Sequence, residues 1–164
     1  MNRLLVGLDD TDFGESIGTG ALARELRLHL QRLLGAEVNG ITRHQLLVHP
    51  DVPYTSHNSA ACMDVATPAP VNDVVACARH FIEFMFHEGA DPGLSVGSPE
   101  RFTEACTRFG YRAQQEVVVM NEAFSLAEDA GVTLLDLGGT GQGIIGAFAG
   151  CALRAGGDDG RFIS

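Results

Sequence analysis

Three carboxylates fall within four residues at Asp9, Asp10 and Asp12, directly after the apolar run Leu4-Leu5-Val6-Gly7-Leu8. Like charges this close raise one another's pKa unless a cation holds them. Their oxygen donors suit a hard cation, Mg²⁺ above all, which takes one or two carboxylates and keeps positions for water and phosphate. A helix cap from Asp12 or Ser16 would explain one short polar side chain, not three acids. A second set of candidates is the glycine-rich turn Gly138-Gly139-Thr140-Gly141-Gln142-Gly143, where Gly139, Gly141 and Gly143 let backbone approach a ligand closely. A third is the polar stretch Tyr54-Thr55-Ser56-His57-Asn58-Ser59, in which Tyr54, His57 and Asn58 offer a ring, an imidazole and a carboxamide to orient an acceptor. A plain solvent-facing turn is the alternative for any one of these.

The elements needed to present these residues are legible as pattern. Leu4 to Leu8 is apolar on both alternating faces apart from Gly7 and predicts a strand buried on both sides, with the acids at its C-terminal end. Alternation would set Asp10 and Asp12 on one side and Asp9 and Thr11 on the other. Gly18-Thr19-Gly20 leads into a helix expected from about Gly20 to Leu34, with Leu22, Leu26, Leu30 and Leu33 as its stripe. Strand, Gly-containing loop and helix form a phosphate-binding layout, in which free N–H groups of the loop and first turn face an anion. Val132 to Leu137, the glycine turn and an apolar helix to about Leu153 repeat it.

Between them lie a short strand over 38–42, a strand over 60–65, and a helix capped by Asn72 that runs to about His87. Then come a loop from Ala90 to Gly97 around a short extended piece, a helix from Ser98-Pro99 closed by Gly110, a strand or else a helix entry over 115–120, and a helix over 122–129 stopped by Gly131. The expected fold is a single α/β domain over 1–164, with a mixed or mostly parallel sheet covered by helices. Its site would lie at the C-terminal ends of the strands that start at Leu4 and Val132.

Composition narrows the chemistry. All 11 basic residues are arginine. Schiff-base chemistry, the P-loop lysine and the protein-kinase strand lysine are thereby excluded, and phosphate clamping falls to arginine and metal. A net charge of −10 argues against affinity built on broad phosphate neutralisation, so direct nucleic-acid binding by this chain alone is not expected. Cys62, Cys77, Cys106 and Cys151 lack metal-ligand spacing and read as small buried residues of a reduced, cytoplasmic protein. No run is long enough to span a membrane, and no internal repeat is present.

Taken in order, Val6-Gly7-Leu8-Asp9-Asp10-Thr11-Asp12, Ile17-Gly18-Thr19, Pro53-Tyr54-Thr55 with Asn58-Ser59-Ala60, and Gly141-Gln142-Gly143-Ile144-Ile145-Gly146-Ala147 resemble the N-terminal kinase-like domain of archaeal tRNA isoleucine agmatinylcytidine synthetase. The resemblance spans nearly the whole chain. It implies an ATP- and Mg²⁺-dependent phosphotransfer domain that activates a cytidine 2-oxo group by phosphorylation, after which agmatine displaces the phosphate. Asp9, Asp10 and Asp12 would then handle metal and phosphate, and Thr19 would be the threonine phosphorylated beside the glycine loop. The family's paired threonines after a cysteine are replaced here by Gly18-Thr19-Gly20, leaving Thr19 as the one candidate.

The family's oligonucleotide-binding fold and zinc ribbon have no counterpart in these residues. The acceptor is therefore open, and a homo-oligomer or a separate partner protein is expected to assist. The alternatives are a non-catalytic nucleotide or metabolite sensor and a phosphatase of the haloacid dehalogenase type. The latter is suggested by Asp10-Thr11-Asp12 and opposed by Gly14 and the lack of lysine.

Overall fold

Strand β1 (Asn2–Asp9) is the centre of the protein: Leu4, Leu5, Val6 and Leu8 are at most 2% exposed. The computed structural model describes residues 1–9, 19–47, 59–85, 92–138, 143–158 and 160–163. In chain order these form β1, α1 (Thr19–Leu34), β2 (Glu37–Gln45), β3 (Ser59–Thr67), α2 (Val71–Met85), β4 (Gly93–Gly97), a single 3-10 turn (Pro99–Arg101), α3 (Glu104–Gln115), α4 (Met120–Ala130), β5 (Thr133–Asp136), α5 (Gly143–Ala155) and β6 (Arg161–Phe162).

One sheet of six strands has the order β5-β4-β1-β3-β2-β6, and every neighbouring pair within it is antiparallel. This corrects the expectation of a mixed or mostly parallel sheet. A continuous apolar run reports burial on both faces and carries no information about strand direction. Here Leu4, Val6 and Leu8 pack into one core with Leu22, Leu26 and Leu30 of α1 and Val74, Phe81 and Ile82 of α2. Leu5 joins a second core on the other face with Phe109 of α3, Ala123 and Ala127 of α4, and Ile144, Phe148 and Cys151 of α5. Helices on both sides of β1 account for its pattern.

Small residues let α5 lie directly on the sheet. A Cβ at Gly7 would stand 2.5 Å from Cys151 Sγ, and one at Gly93 would stand 2.5 Å from the Ile144 amide nitrogen. Central strand β4 therefore reads Gly-Leu-Ser-Val-Gly, with Leu94 and Val96 toward α1 and α2; Gly93 lies beneath α5, and a Cβ at Gly97 would stand 2.9 Å from Val132 Cγ2. The short extended piece expected within 90–97 is this strand; its full extent is obscured in the sequence by glycines whose role, close approach of α5 at Gly93 and of Val132 at Gly97, is set by tertiary packing.

The same cause corrects the expected end of α3 at Gly110. That glycine is a mid-helix crossing point, where a Cβ would stand 2.9 Å from Leu153 Cγ of α5. The Ser98-Pro99 start yields only the 3-10 turn. The longer helix is capped by Thr103, whose Oγ1 accepts from the Cys106 amide at 3.3 Å. Of the two readings of 115–120 the helix entry holds, not the strand: residues 116–119 join α3 to α4, which Met120 opens. Gly131 does stop α4, with φ 75° in the left-handed region that glycine adopts freely. No helix among the described residues is long and apolar enough to cross a membrane.

Candidate functional site

Because β4 is antiparallel to both β1 and β5, those two strands run the same way, and Asp9, Gly93 and Asp136 align across the sheet in one row. The expected common edge for the two strand ends therefore exists, although the strands are separated by β4. The neighbouring row, Arg43, Ala61, Leu8, Leu94 and Leu135, continues across to β2. At this edge β1, β2 and β5 end while β3 and β4 begin.

Asp9 is the member of the acidic triad that the structure describes. It is 4% exposed and points to the α5 side of the sheet, against the first turns of that helix. A Cβ at Gly146 would stand 2.7 Å from Asp9 Cγ and 2.9 Å from Asp9 Cβ, so glycine at 146 is what makes room for the carboxylate. Four residues at the start of α5 leave N–H groups without intrahelical partners, and the helix dipole is positive there, so a carboxylate is favoured at this place. Gly143 opens α5 and lies over Gly93, whose Cβ would stand 2.6 Å from the Gly143 carbonyl oxygen. The end of β1 and the first turns of α5 thus adjoin: Asp9 meets Gly146, and its sheet partner Gly93 meets Gly143.

Thr19 is the first residue of α1. Asp10, Thr11, Asp12, Gly18, Tyr54, His57, Asn58, Gly139 and Gly141 lie outside the described residues. The segments that carry them join the described chain at Asp9 and Thr19, at Leu47 and Ser59, and at Gly138 and Gly143.

Sequence reasoning passed over two contributors. Asp136, on the Asp9 row, accepts from the Gly138 amide at 3.1 Å through Oδ1 and fixes the start of the glycine turn, where Gly138 has φ 152°. Gly146 was seen only as part of a motif. The signal that could have singled it out is the spacing Gly143, Gly146, Gly150, which puts glycine on one helical face at intervals of three and four. Gly150 completes that face, its Cβ position lying 3.3 Å from Ala60 Cβ of β3.

Among the described residues no three metal-capable side chains cluster. The described part of the acidic triad supplies one buried carboxylate of the oxygen-donor type that Mg²⁺ takes. The described cysteines are all free. Cys62 and Cys151, distant in sequence, are adjacent beneath α5 with sulfurs 3.8 Å apart, and burial above all pushes the Cys151 thiol well above its ordinary range. Thiols held protonated in this way are poor metal ligands and poor nucleophiles.

Two further concavities lie outside this edge. One of about 290 Å³ is lined by Arg3, Asp64 and Arg154; the other, about 520 Å³, lies between α3 and α4 beside Tyr111 and Arg112. Neither contains a residue that sequence reasoning nominated.

No family profile matches the chain. It is 31% identical over 153 residues to tRNA isoleucine 2-agmatinylcytidine synthetase TiaS from Pyrococcus horikoshii, a match covering 89% of this chain and 34% of that protein. Among solved structures it superposes on a tRNA fluorescent labeling enzyme with TM-score 0.78 and 26% identity, over 92% of this chain and 36% of the other. It superposes on TiaS in complex with its isoleucine tRNA, AMPCPP and agmatine with TM-score 0.76 and 25% identity, over 92% of this chain and 36% of the other. The chain thus spans about a third of the length of these relatives.

Proposed function

From its homology to tRNA isoleucine 2-agmatinylcytidine synthetase, over about a third of that enzyme's length, we propose that this chain is an ATP-using, kinase-like phosphotransfer domain acting on a nucleoside of an RNA acceptor. The observation that carries the reading is the seating of Asp9, at the acidic end of β1, against Gly146 in the first turns of α5. A strand end bearing carboxylates and a helix start bearing free N–H groups are the two halves of a nucleotide triphosphate site: one for the metal, the other for the anion.

ATP would place its phosphates between them, with backbone of the turn through Gly139, Gly141 and Gly143 alongside. Asp9, Asp10 and Asp12 would hold Mg²⁺, whose contribution is to neutralise charge on the phosphate oxygens during transfer. Thr11 and Gly18 would line the same opening, with Thr19 near the transferred phosphoryl group, and Tyr54, His57 and Asn58 would orient the acceptor. In the transfer itself an acceptor oxygen forms a bond to the γ-phosphorus while the bond to the β–γ bridging oxygen breaks, and ADP leaves. One aspartate free of metal would take any proton the acceptor loses. The phosphorylated oxygen is then a leaving group for an amine. Such a site has no need of lysine, consistent with a chain whose 11 basic residues are all arginine.

Isothermal titration of ATP with and without Mg²⁺ tests the reading. Metal-dependent binding that Asp10→Asn weakens supports it. Metal-independent or absent binding, or wild-type affinity in Asp10→Asn, sinks it.

A further inference from the structure

A polar cavity lies at the far end of the sheet from Asp9. Arg3 and Asp9 stand at opposite ends of β1, about 20 Å apart at about 3.3 Å per residue. The cavity beside Arg3, of about 290 Å³, is lined by Arg3 and Leu5 of β1, Asp64 of β3, Pro99 of the 3-10 turn, and Arg154 and Ala155 at the end of α5. None of the residues assigned to phosphotransfer is among them.

Two guanidinium groups are fixed in place here. Arg3 donates Nε to Asp64 Oδ1 at 3.0 Å and Nη2 to Asp64 Oδ2 at 2.8 Å, a fork that leaves Nη1 unused. Arg154 donates Nη1 to the carbonyls of Gly40 and Cys62 at 3.0 and 2.8 Å, and Nη2 to that of Asn39 at 3.2 Å. Its guanidinium carbon lies 5.6 Å from the centroid of the Phe162 ring. The Nε proton and one Nη2 proton of Arg154 have no acceptor among the described residues. Asp64 is committed to Arg3, and among the described residues no carboxylate pairs with the half-buried Arg154. A charge taken partly out of water without a counter-charge is costly, and neutral carbonyls compensate it only in part.

The end of α5 does little to oppose this field. A helix C-terminus repels anions through its free carbonyls, but those of Ala152, Leu153 and Arg154 accept from the amides of Gly156, Asp158 and Gly157. Glu100 acts on Arg3 through space and does not line the cavity. The lining therefore sets two positive charges against one negative, in a protein of net charge −10. At about 290 Å³ the cavity is at the small end of ligand sites, which suits an anion of a few heavy atoms and not a nucleotide.

We propose that Arg3 and Arg154 bind a small oxyanion, a phosphate or a carboxylate, between Arg3 Nη1 and Arg154 Nε. Planar donors held beforehand by Asp64 and by three backbone carbonyls engage such oxygens with little further ordering. The anion would tie the start of β1 to the last turn of α5, the helix whose first turns lie against Asp9. Binding at this place does not depend on the phosphotransfer reading.

The test is isothermal titration of inorganic phosphate, and separately of succinate, into the full chain at fixed ionic strength without Mg²⁺. The proteins are the wild type, Arg154→Met, Arg3→Gln/Asp64→Asn, Arg108→Gln and Asp10→Asn. The wild type should bind saturably. Affinity should fall by about tenfold or more in Arg154→Met and in Arg3→Gln/Asp64→Asn, each of which removes a charge-assisted contact. The double variant replaces the ion pair with a neutral pair that can still hydrogen-bond, so it decides the matter if Arg154→Met, stripped of its carbonyl contacts, fails to fold by circular dichroism. Arg108→Gln on α3 and Asp10→Asn at the phosphotransfer edge should bind as the wild type does. Saturable binding of phosphate alone, of succinate alone or of both supports the site and tells which oxyanion it takes. No saturable binding of either anion, or equal affinity in the wild type and Arg3→Gln/Asp64→Asn, overturns the proposal. So does binding that only Asp10→Asn abolishes, which would put the anion at the Asp9 edge.

Discussion

Replacing Gly146 with alanine sets two effects against each other, and the structure decides between them. Alanine in a helix interior is favoured over glycine by roughly 0.8–1 kcal/mol. Against this, the new methyl would lie 2.7 Å from Asp9 Cγ and 2.9 Å from Asp9 Cβ, inside the distance that real carbon contacts allow. Asp9 cannot retreat with its backbone, because its partner Gly93 is itself pressed against Gly143 and Ile144 of α5. Either the carboxylate rotates out of its place or α5 lifts from the sheet. Overpacking of this sort costs about 1–3 kcal/mol, and a buried carboxylate turned away from its donors adds about 1–3 kcal/mol more.

The net expectation for Gly146→Ala is a loss of about 1–5 kcal/mol in urea denaturation, accompanied by loss of nucleotide binding. Asp9→Ala/Gly146→Ala removes the clash and should show a coupling of about 1–2 kcal/mol in favour of the pair, with stability recovered and nucleotide binding still absent. A Gly146→Ala protein as stable as the wild type that binds ATP normally would refute the placement of Asp9.

Other consequences follow from the same packing. Gly93→Ala meets backbone atoms of Gly143 and Ile144, which cannot swing aside as a side chain can, so its thermal midpoint should fall further than that of Gly146→Ala. Gly150→Ala, with its nearest neighbour the Ala60 methyl at 3.3 Å, should change the midpoint least of the three. Cys151 is raised in pKa by burial, so the folded state keeps its proton where the unfolded chain has lost it. Stability should therefore fall as pH rises above about 9, the ordinary thiol value, by up to about 1.4 kcal/mol per pH unit; Cys151→Ala should flatten that part of a denaturation-against-pH curve. Replacing Arg3 with methionine strips Asp64, whose side chain is 11% exposed, of a two-point partner at 3.0 and 2.8 Å, and should cost about 1–3 kcal/mol in the same assay.

The parts of the fold that sequence conveyed are those governed by local pattern. β1, α1, β3, α4, β5 and α5 lie near their expected places, because periodicity and the Gly131 stop act within a few residues. Strand direction was not legible, since double-sided burial looks the same in parallel and antiparallel sheets. Leu33, counted in the α1 stripe, is 63% exposed, and Leu34, four residues after Leu30 on the same helical face, packs on the core in its place. The extent of β4 and the interior of α3 are obscured by Gly93 and Gly110, which make close contact with α5, a partner far away in sequence.

At the site, Asp9 and Gly143 were named from sequence and meet at one edge in the fold. What could not be read was that Gly146 supplies the cavity for Asp9, because that contact joins residues at opposite ends of the chain. Asp136 escaped for a different reason: a single acid after a strand has no distinguishing pattern until the register aligns it with Asp9.

The most direct measurement is a crystal structure of the chain with a non-hydrolysable ATP analogue and Mg²⁺. The account predicts the triphosphate between the C-terminal end of β1 and the start of α5, with metal on at least one carboxylate of Asp9, Asp10 and Asp12. A triphosphate bound instead between α3 and α4, or in the cavity lined by Arg3 and Arg154, would contradict it.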